Sequence, residues 1–293
     1  MLIMKFYESK FEDYVVSCEN KNLHNELDHI KNIDKDNLFK NNLIFYGPAG
    51  VGKYTQMLHF IKNFSPSKLK YERKITIQTN KKYSYTFKIS DIHFEIDMDL
   101  LGCNARVLWN EIYKSVLDIL STRPNLEGII VCKNFHKIHN ELLDIFYSYM
   151  QSLSHKNMNI SFIFLTESVS FIPNNILDRC NIVSVKRPNK TGYKSIFKNN
   201  FENFEINKID NIKNIKSNNF EFCNKNQKIV ETITNDIENF SNIDYLQFRD
   251  KLYNIFIFHL ELDECIWEII NYFVKNNKLS GEKLVLIQNY LYK

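Results

Sequence analysis

The chain has 293 residues, 44% hydrophobic and 25% charged, with a formal net charge of +4; this is ordinary for a soluble globular protein and long enough for two or three compact units. Only 7 Gly and 5 Pro argue against long flexible linkers, and six scattered cysteines without a C-x-x-C pair argue against a disulfide framework or a zinc site, and for reduced, intracellular thiols. Met1–Glu8 lacks a basic leader with an apolar core, and Leu252–Val274 carries Glu261, Asp263, Glu264 and Glu268, so neither a signal peptide nor a membrane span is expected.

Residues 1–41 read as a mixed segment with Phe11, Tyr14 and Val15 as anchors. A helix is expected over Asn22–Ile33, where Leu23, Leu27 and Ile30 recur at helical spacing. Leu43–Tyr46 is a short apolar strand, and a helix to about Phe64 follows with Met57, Leu58, Phe60 and Ile61 as its apolar side. Between them Gly47, four intervening residues, Gly52 and Lys53 fit the phosphate-cradling loop of P-loop proteins. The glycines let backbone N–H groups curl around an anion, and the helix turns its positive end toward it. The expected nucleotide-binding set is Gly47, Pro48, Ala49, Gly50, Val51, Gly52, Lys53, Tyr54 and Thr55, with Lys53 reaching the β and γ phosphates. The pattern departs from consensus at Tyr54, where a Ser or Thr hydroxyl would hold Mg²⁺, and Thr55 comes one place late.

Lys74–Thr79 and Tyr83–Ile89 alternate apolar or β-branched residues with polar ones around the turn Asn80–Lys82, which reads as a β-hairpin. His93–Asp97 is a further strand. A helical stripe then runs through Val107, Leu108, Ile112, Val116, Leu117 and Leu120. Gly128–Cys132 is wholly apolar, as a central parallel strand buried on both faces would be. A helix over about Ile138–Leu153 and strands at Ile160–Leu165 and Ile182–Val185 complete an α/β unit with a parallel sheet. Strand signals stop at Pro188. A lysine- and asparagine-rich stretch follows, then three amphipathic helical segments from Tyr245, broken near Leu262 and at Ser280–Gly281. The expected domains are 1–188, 189–240 and 241–293. Residues 178–228 carry 11 Lys or Arg against 5 Asp or Glu, and residues 229–293 carry 6 against 10. A basic band of this kind either meets a nucleic-acid backbone or is a solvated lysine-rich surface.

With these features in place, the chain resembles a small subunit of replication factor C, among the AAA+ proteins that load sliding DNA clamps. The resemblance rests on the P-loop with a non-hydroxyl residue after its lysine and on the hairpin after the P-loop helix. It rests also on His93–Asp97 leading into Gly102–Arg106 and a helix, and on Asp178-Arg179-Cys180 ahead of a strand ending at Arg187-Pro188. It implies an AAA+ P-loop domain, a small helical lid and a C-terminal helical collar. It implies ATP or ADP as ligand, and other clamp-loader subunits, the sliding clamp and primer–template DNA as partners, with no membrane contact. It also implies residence in the nucleus or a cytoplasmic replication compartment, and the AT-rich coding bias suits a large DNA virus or a parasite. By the same resemblance Arg179 is the arginine finger for a neighbouring subunit, or else a structural arginine pairing with Asp178. Arg106 and Lys114 are candidates for DNA phosphate contact, or else a solvated helix face.

The departures from the family pattern bear on chemistry. Where an active ATPase of this class places an Asp and a Glu, this chain has Lys133 and Asn134, and the next strand ends at Thr166 and Glu167. Lys133 cannot ligate Mg²⁺, Asn134 cannot accept a proton, and Glu167 repels phosphate. Mg²⁺ binding is therefore in doubt, and a subunit that binds nucleotide without cleaving it is expected. The alternatives are a P-loop-derived scaffold that never contacts DNA and a self-sufficient hydrolase, which Lys133 and Asn134 disfavour. His136, His139 and Glu141 are read as helix-start polar residues, not as a metal site.

Overall fold

The computed structural model describes residues 10–32, 38–39, 41–79, 83–151, 158–196, 225–242, 244–257, 260 and 262–291. They fall into two compact units, one ending at Ile196 and the other beginning at Lys225. The hairpin turn Asn80–Lys82 and residues 197–224 of the expected lid lie outside the described residues.

The first unit is a mixed α/β domain around a seven-stranded sheet. Its strands are β1 (Asn42–Tyr46), β2 (Arg73–Thr79), β3 (Tyr83–Ile89), β4 (His93–Asp97), β5 (Glu127–Lys133), β6 (Asn159–Thr166) and β7 (Cys180–Ser184), in the order β2-β3-β4-β5-β6-β1-β7. From β4 to β7 every neighbouring pair is parallel, while β2, β3 and β4 pair antiparallel at one edge. The helices are α1 (Phe11–Asn20), α2 (Lys53–Ile61), α3 (Ala105–Ser121), α4 (Asn140–Gln151), the single turn α5 (Asn174–Leu177) and α6 (Lys190–Ile196).

The central strands are apolar on both faces because both faces are covered, as a parallel sheet requires. Ile130 and Cys132 of β5, with Phe162 and Phe164 of β6, pack among Trp109, Ile112 and Val116 of α3 and Phe146 of α4. On the other face Ile129, Val131, Leu43 and Phe45 meet Met57, Leu58 and Ile61 of α2 and Phe11 and Val15 of α1. Side chains alternate along a strand, so the register Glu95↔Val131 and Asp97↔Lys133 aims these polar residues at the α1–α2 face. This places Lys133 beside the helix that follows the glycine loop.

The expected helix over Asn22–Ile33 is instead a 3₁₀ helix over Asn25–Asn32. The Asn22 side chain accepts from the His24 N–H at 3.0 Å and from Gln56 Nε2 at 2.9 Å, which opens the segment with a turn instead of an α-helical start. Leu27 and Ile30, three apart, are both buried, as a three-residue turn allows. β7 begins two residues earlier than expected, so Cys180 lies within the strand and Arg179 immediately before it.

The second unit holds α7 (Lys225–Glu238), α8 (Tyr245–Ile257), α9 (Leu262–Lys275) and α10 (Gly281–Leu291). Ile229, Val230 and Ile233 of α7 share one small core with Ile255 of α8 and Cys265 of α9. Lys251 pairs with Asp236 at 2.7 Å and Lys278 with Glu238 at 2.6 Å. Phe256 of α8 and Trp267 of α9 are exposed.

Candidate nucleotide-binding site

The loop grows out of the carboxyl end of β1. There the Tyr46 carbonyl accepts from the Val185 N–H at 2.7 Å, and the Gly47 N–H donates to the Thr166 carbonyl at 3.3 Å. Gly47 is obligatory, because a Cβ there would lie 2.2 Å from the Val185 carbonyl oxygen. Gly50 (φ 68°) and Gly52 (φ 96°) occupy the left-handed region that turns the chain into α2. Gly52 is the N-cap, and no side chain caps the helix, so its first N–H groups face outward without a side-chain acceptor. The loop is buttressed from the amino-terminal segment, where His24 Nε2 lies 2.8 Å from the Val51 carbonyl.

Lys53 Nζ donates to the Gly47 carbonyl at 2.7 Å and to the Pro48 carbonyl at 2.6 Å. Glu167 Oε1 stands 3.8 Å away, beyond β6. Burial pulls the lysine below its ordinary pKa, and the Glu167 charge opposes that shift. The expected repulsion between Glu167 and a phosphate thus has a structural counterpart: Glu167 already competes for the lysine that would hold that phosphate.

Tyr54 packs between the amino-terminal segment and the sheet, among Tyr14, Glu95 and Lys133. Its hydroxyl is held well above the ordinary pKa, first by burial and then by the charge of the nearby Glu95 carboxylate. Its ring meets Tyr14 edge-on at 4.9 Å. Over that ring, 5.2 Å from its centroid, lies the ammonium of Lys133. Glu95 is buried beside His93, whose Nε2 is 3.4 Å from Oε1, and His93 Nδ1 is 2.5 Å from Ser90 Oγ. Asn134, in a left-handed conformation at φ 51°, donates through Nδ2 to Asp97 Oδ1 at 2.9 Å. His136 Nδ1 accepts from the Glu167 N–H at 3.3 Å, and burial holds its pKa below the ordinary histidine value. The Thr166 hydroxyl is spent on the Ser168 carbonyl at 2.5 Å.

These residues fit a polyphosphate and do not fit Mg²⁺. The glycine turn, the uncapped helix start and the Lys53 ammonium gather donors for an anion in one place. Of the three nearby carboxylates, Glu167 faces Lys53, Asp97 takes the Asn134 amide and Glu95 is buried against Tyr54. A hard divalent cation needs oxygen ligands, and the position a carboxylate would fill holds the Lys133 ammonium. Sequence reasoning reached Lys53, Tyr54, Lys133, Asn134 and Glu167. It missed His24, Glu95 and Asp97, although the acidic alternation of His93–Asp97 in an otherwise buried strand was a readable sign of polar partners.

Arg179 lies at the opposite end of the sheet. Its neighbour Cys180 is in register with Asn42, where β1 begins, so the length of β1, about 16 Å, separates it from the loop. It is exposed, its carbonyl accepts from the Asn42 N–H at 3.3 Å, and among the described residues its guanidinium makes no ion pair with Asp178 or any other carboxylate. Arg106, the second residue of α3, is exposed, and Lys114, on the same helix, is exposed and paired with Glu111 at 3.1 Å.

A glycine loop at the carboxyl end of a central parallel strand, with helices on both faces and parallel strands on both sides, defines an α/β fold of the P-loop type. No family model and no curated protein sequence matches the chain. Solved structures similar to it include the Thermotoga maritima RuvB Holliday junction branch migration motor, at 12% identity and TM-score 0.33 over 60% of this chain and 44% of that one. Caenorhabditis elegans PCH-2 is similar at 10% identity and TM-score 0.39, over 64% and 44%. Drosophila ORC bound to GC-rich DNA and Cdc6 is similar at 10% identity and TM-score 0.33, over 92% and 90%. The chain spans under half the length of the first two of these. Among the described residues no helix is long and apolar enough to cross a membrane.

Proposed function

We propose that the chain is a catalytically silent subunit of a clamp-loader-like AAA+ ring acting at primer–template DNA in a nuclear or cytoplasmic replication compartment. It holds ATP or ADP without turning it over and presents Arg179 to the nucleotide of an active neighbour. The observation that carries this reading is Lys133 lying over Tyr54, an ammonium and a phenol where the family pattern has a carboxylate and a hydroxyl that hold a metal. Phosphoryl transfer depends on positioning and on charge neutralisation by metal and cations, so this site retains the cradle without the metal shell. The placement of Arg179, exposed and a sheet's length from the loop, supports a role toward a neighbouring subunit. In this reading residues 189–240 are a lid and residues 241–293 a collar, and Arg106 and Lys114 track the DNA backbone.

The test is reconstitution with the other ring subunits. Arg179→Ala should lower the neighbour's ATP turnover by about 10³–10⁵ while leaving assembly intact, and an unchanged rate would remove the finger. Arg106→Ala should weaken primed-DNA binding alike for all sequences and lower its salt slope. A scaffold reading without DNA contact is favoured by one observation, the exposed Phe240, Tyr245, Phe256, Trp267 and Tyr290 in and around the helices of the second unit. Size-exclusion with the same partners, with and without primed DNA, separates the two.

A further inference from the structure

We infer that His24 is a positioning residue for the phosphate loop: by donating to the Val51 carbonyl it turns the Gly52 N–H toward the bound anion. The inference rests on the nucleotide-binding reading above and extends it to a residue outside the glycine motif that sets the geometry of the cradle.

A trans peptide is planar, so its carbonyl and the N–H of the next residue point in opposite directions. His24 Nε2 lies 2.8 Å from the Val51 carbonyl oxygen. A carbonyl only accepts, so Nε2 carries the proton of this bond. With the Val51 carbonyl drawn to the amino-terminal segment, the Gly52 N–H faces away from that segment. The carbonyl of Gly52 is also taken, by the Gln56 N–H at 3.0 Å. The peptide groups on both sides of Gly52 are thereby fixed, at a φ of 96° that glycine adopts without steric cost. Among the described residues no backbone acceptor takes the Gly52 N–H, which is left for a ligand at the amino end of α2, beside Lys53.

His24 is itself held in place. It is buried, its N–H donates to Asn22 Oδ1 at 3.0 Å, and the same oxygen accepts from Gln56 Nε2 at 2.9 Å. Gln56 belongs to α2, so a circuit of hydrogen bonds from α2 through Asn22 and His24 to Val51 sets the loop against the helix it feeds. Nδ1 faces the half-exposed Glu26 carboxylate at 3.4 Å. An imidazolium would donate to both partners and a neutral ring to the closer one, so the bond to Val51 is common to both forms.

The experiment pairs a titration of the full chain with ADP and ¹⁵N NMR of the His24 ring and the Gly52 amide. In the wild type the ring should carry a proton on Nε2, and the Gly52 amide proton should move downfield as ADP binds. His24→Leu should weaken ADP binding roughly tenfold or more, the loss of one hydrogen bond to a charged group, and shrink the Gly52 shift. His24→Gln, whose amide nitrogen is as many bonds from the backbone as Nε2, should restore both, and the shorter His24→Asn should not. A wild-type ring protonated at Nδ1 alone, or a Gly52 amide unmoved while ADP binds, would overturn the inference and leave the nucleotide-binding reading in place. So would wild-type affinity in His24→Leu, or an equal loss in His24→Gln and His24→Leu, which marks a packing role. Absence of ADP binding by the wild type would overturn that reading, and the inference with it. The wild-type spectra need no substitution, so a poorly folding His24 variant does not blunt the test.

Discussion

Glu167→Gln should tighten nucleotide binding, an unusual direction for a substitution inside a binding site. Glu167 stands 3.8 Å from Lys53 Nζ. At that separation two unit charges attract by about 4 kcal/mol at an effective dielectric of about 20, and by about 1 kcal/mol in water. The Glu167 side chain is 40% exposed against 12% for Lys53, so the watery limit is nearer the truth, and the net pairing is about 0.5–1 kcal/mol. Removing the charge releases the lysine by that amount and removes a similar repulsion toward the incoming phosphates. Together these give roughly a five- to thirtyfold gain in affinity at low salt, shrinking as salt screens the pair. Glutamine keeps the backbone N–H that donates to His136, so the loop geometry is preserved. Isothermal titration with ADP at two ionic strengths reads both effects. An affinity that stays the same or weakens would refute the claim that Glu167 and phosphate compete for Lys53.

Three further outcomes follow from packing and titration. Gly47→Ala forces a Cβ against the Val185 carbonyl, which cannot yield without breaking the β1–β7 register, and should cost about 1–3 kcal/mol in urea unfolding; an unchanged midpoint contradicts this. Trp109 is fully buried, and its indole N–H has no hydrogen-bond partner among the described residues. Trp109→Ala should therefore cost about 3–5 kcal/mol but Trp109→Phe under about 1.5, because the latter removes an unsatisfied donor along with the lost volume. Burial pushes the Asp91 carboxyl up, but hydrogen bonds from the Ser67 N–H at 2.7 Å and the Ser65 hydroxyl at 2.8 Å outweigh it and hold the pKa below 3.8. Its contribution is fully present above the unfolded value of 3.8 and is lost as pH falls through the lower folded value, so Asp91→Asn should flatten the acid limb of a stability–pH curve.

The sheet was readable because its signals are local. Gly128–Cys132 is apolar throughout and Ile160–Leu165 is apolar but for Ser161, since both faces of a central parallel strand are covered, and Lys74–Ile89 alternates, since an edge hairpin is half wet. The glycine loop was readable for the same reason, its backbone demands being written in adjacent residues. The contacts that define the site's chemistry were not, because they join distant segments. Tyr54 meets Glu95 and Lys133, Lys53 meets Glu167, and His24 braces Val51 only once the sheet has assembled. The 3₁₀ segment was misjudged because the apolar spacing at Leu27 and Ile30 suits either helix, and the deciding contact, Asn22 with Gln56, lies across the fold.

The central claim is a phosphate cradle without hydrolytic machinery, and the most direct test follows the fate of bound ATP. The purified chain, incubated with ATP and Mg²⁺ and then freed of excess nucleotide, should retain intact ATP and release no phosphate above the level of a Lys53→Ala control. Phosphate release that disappears with Lys53→Ala would contradict the account.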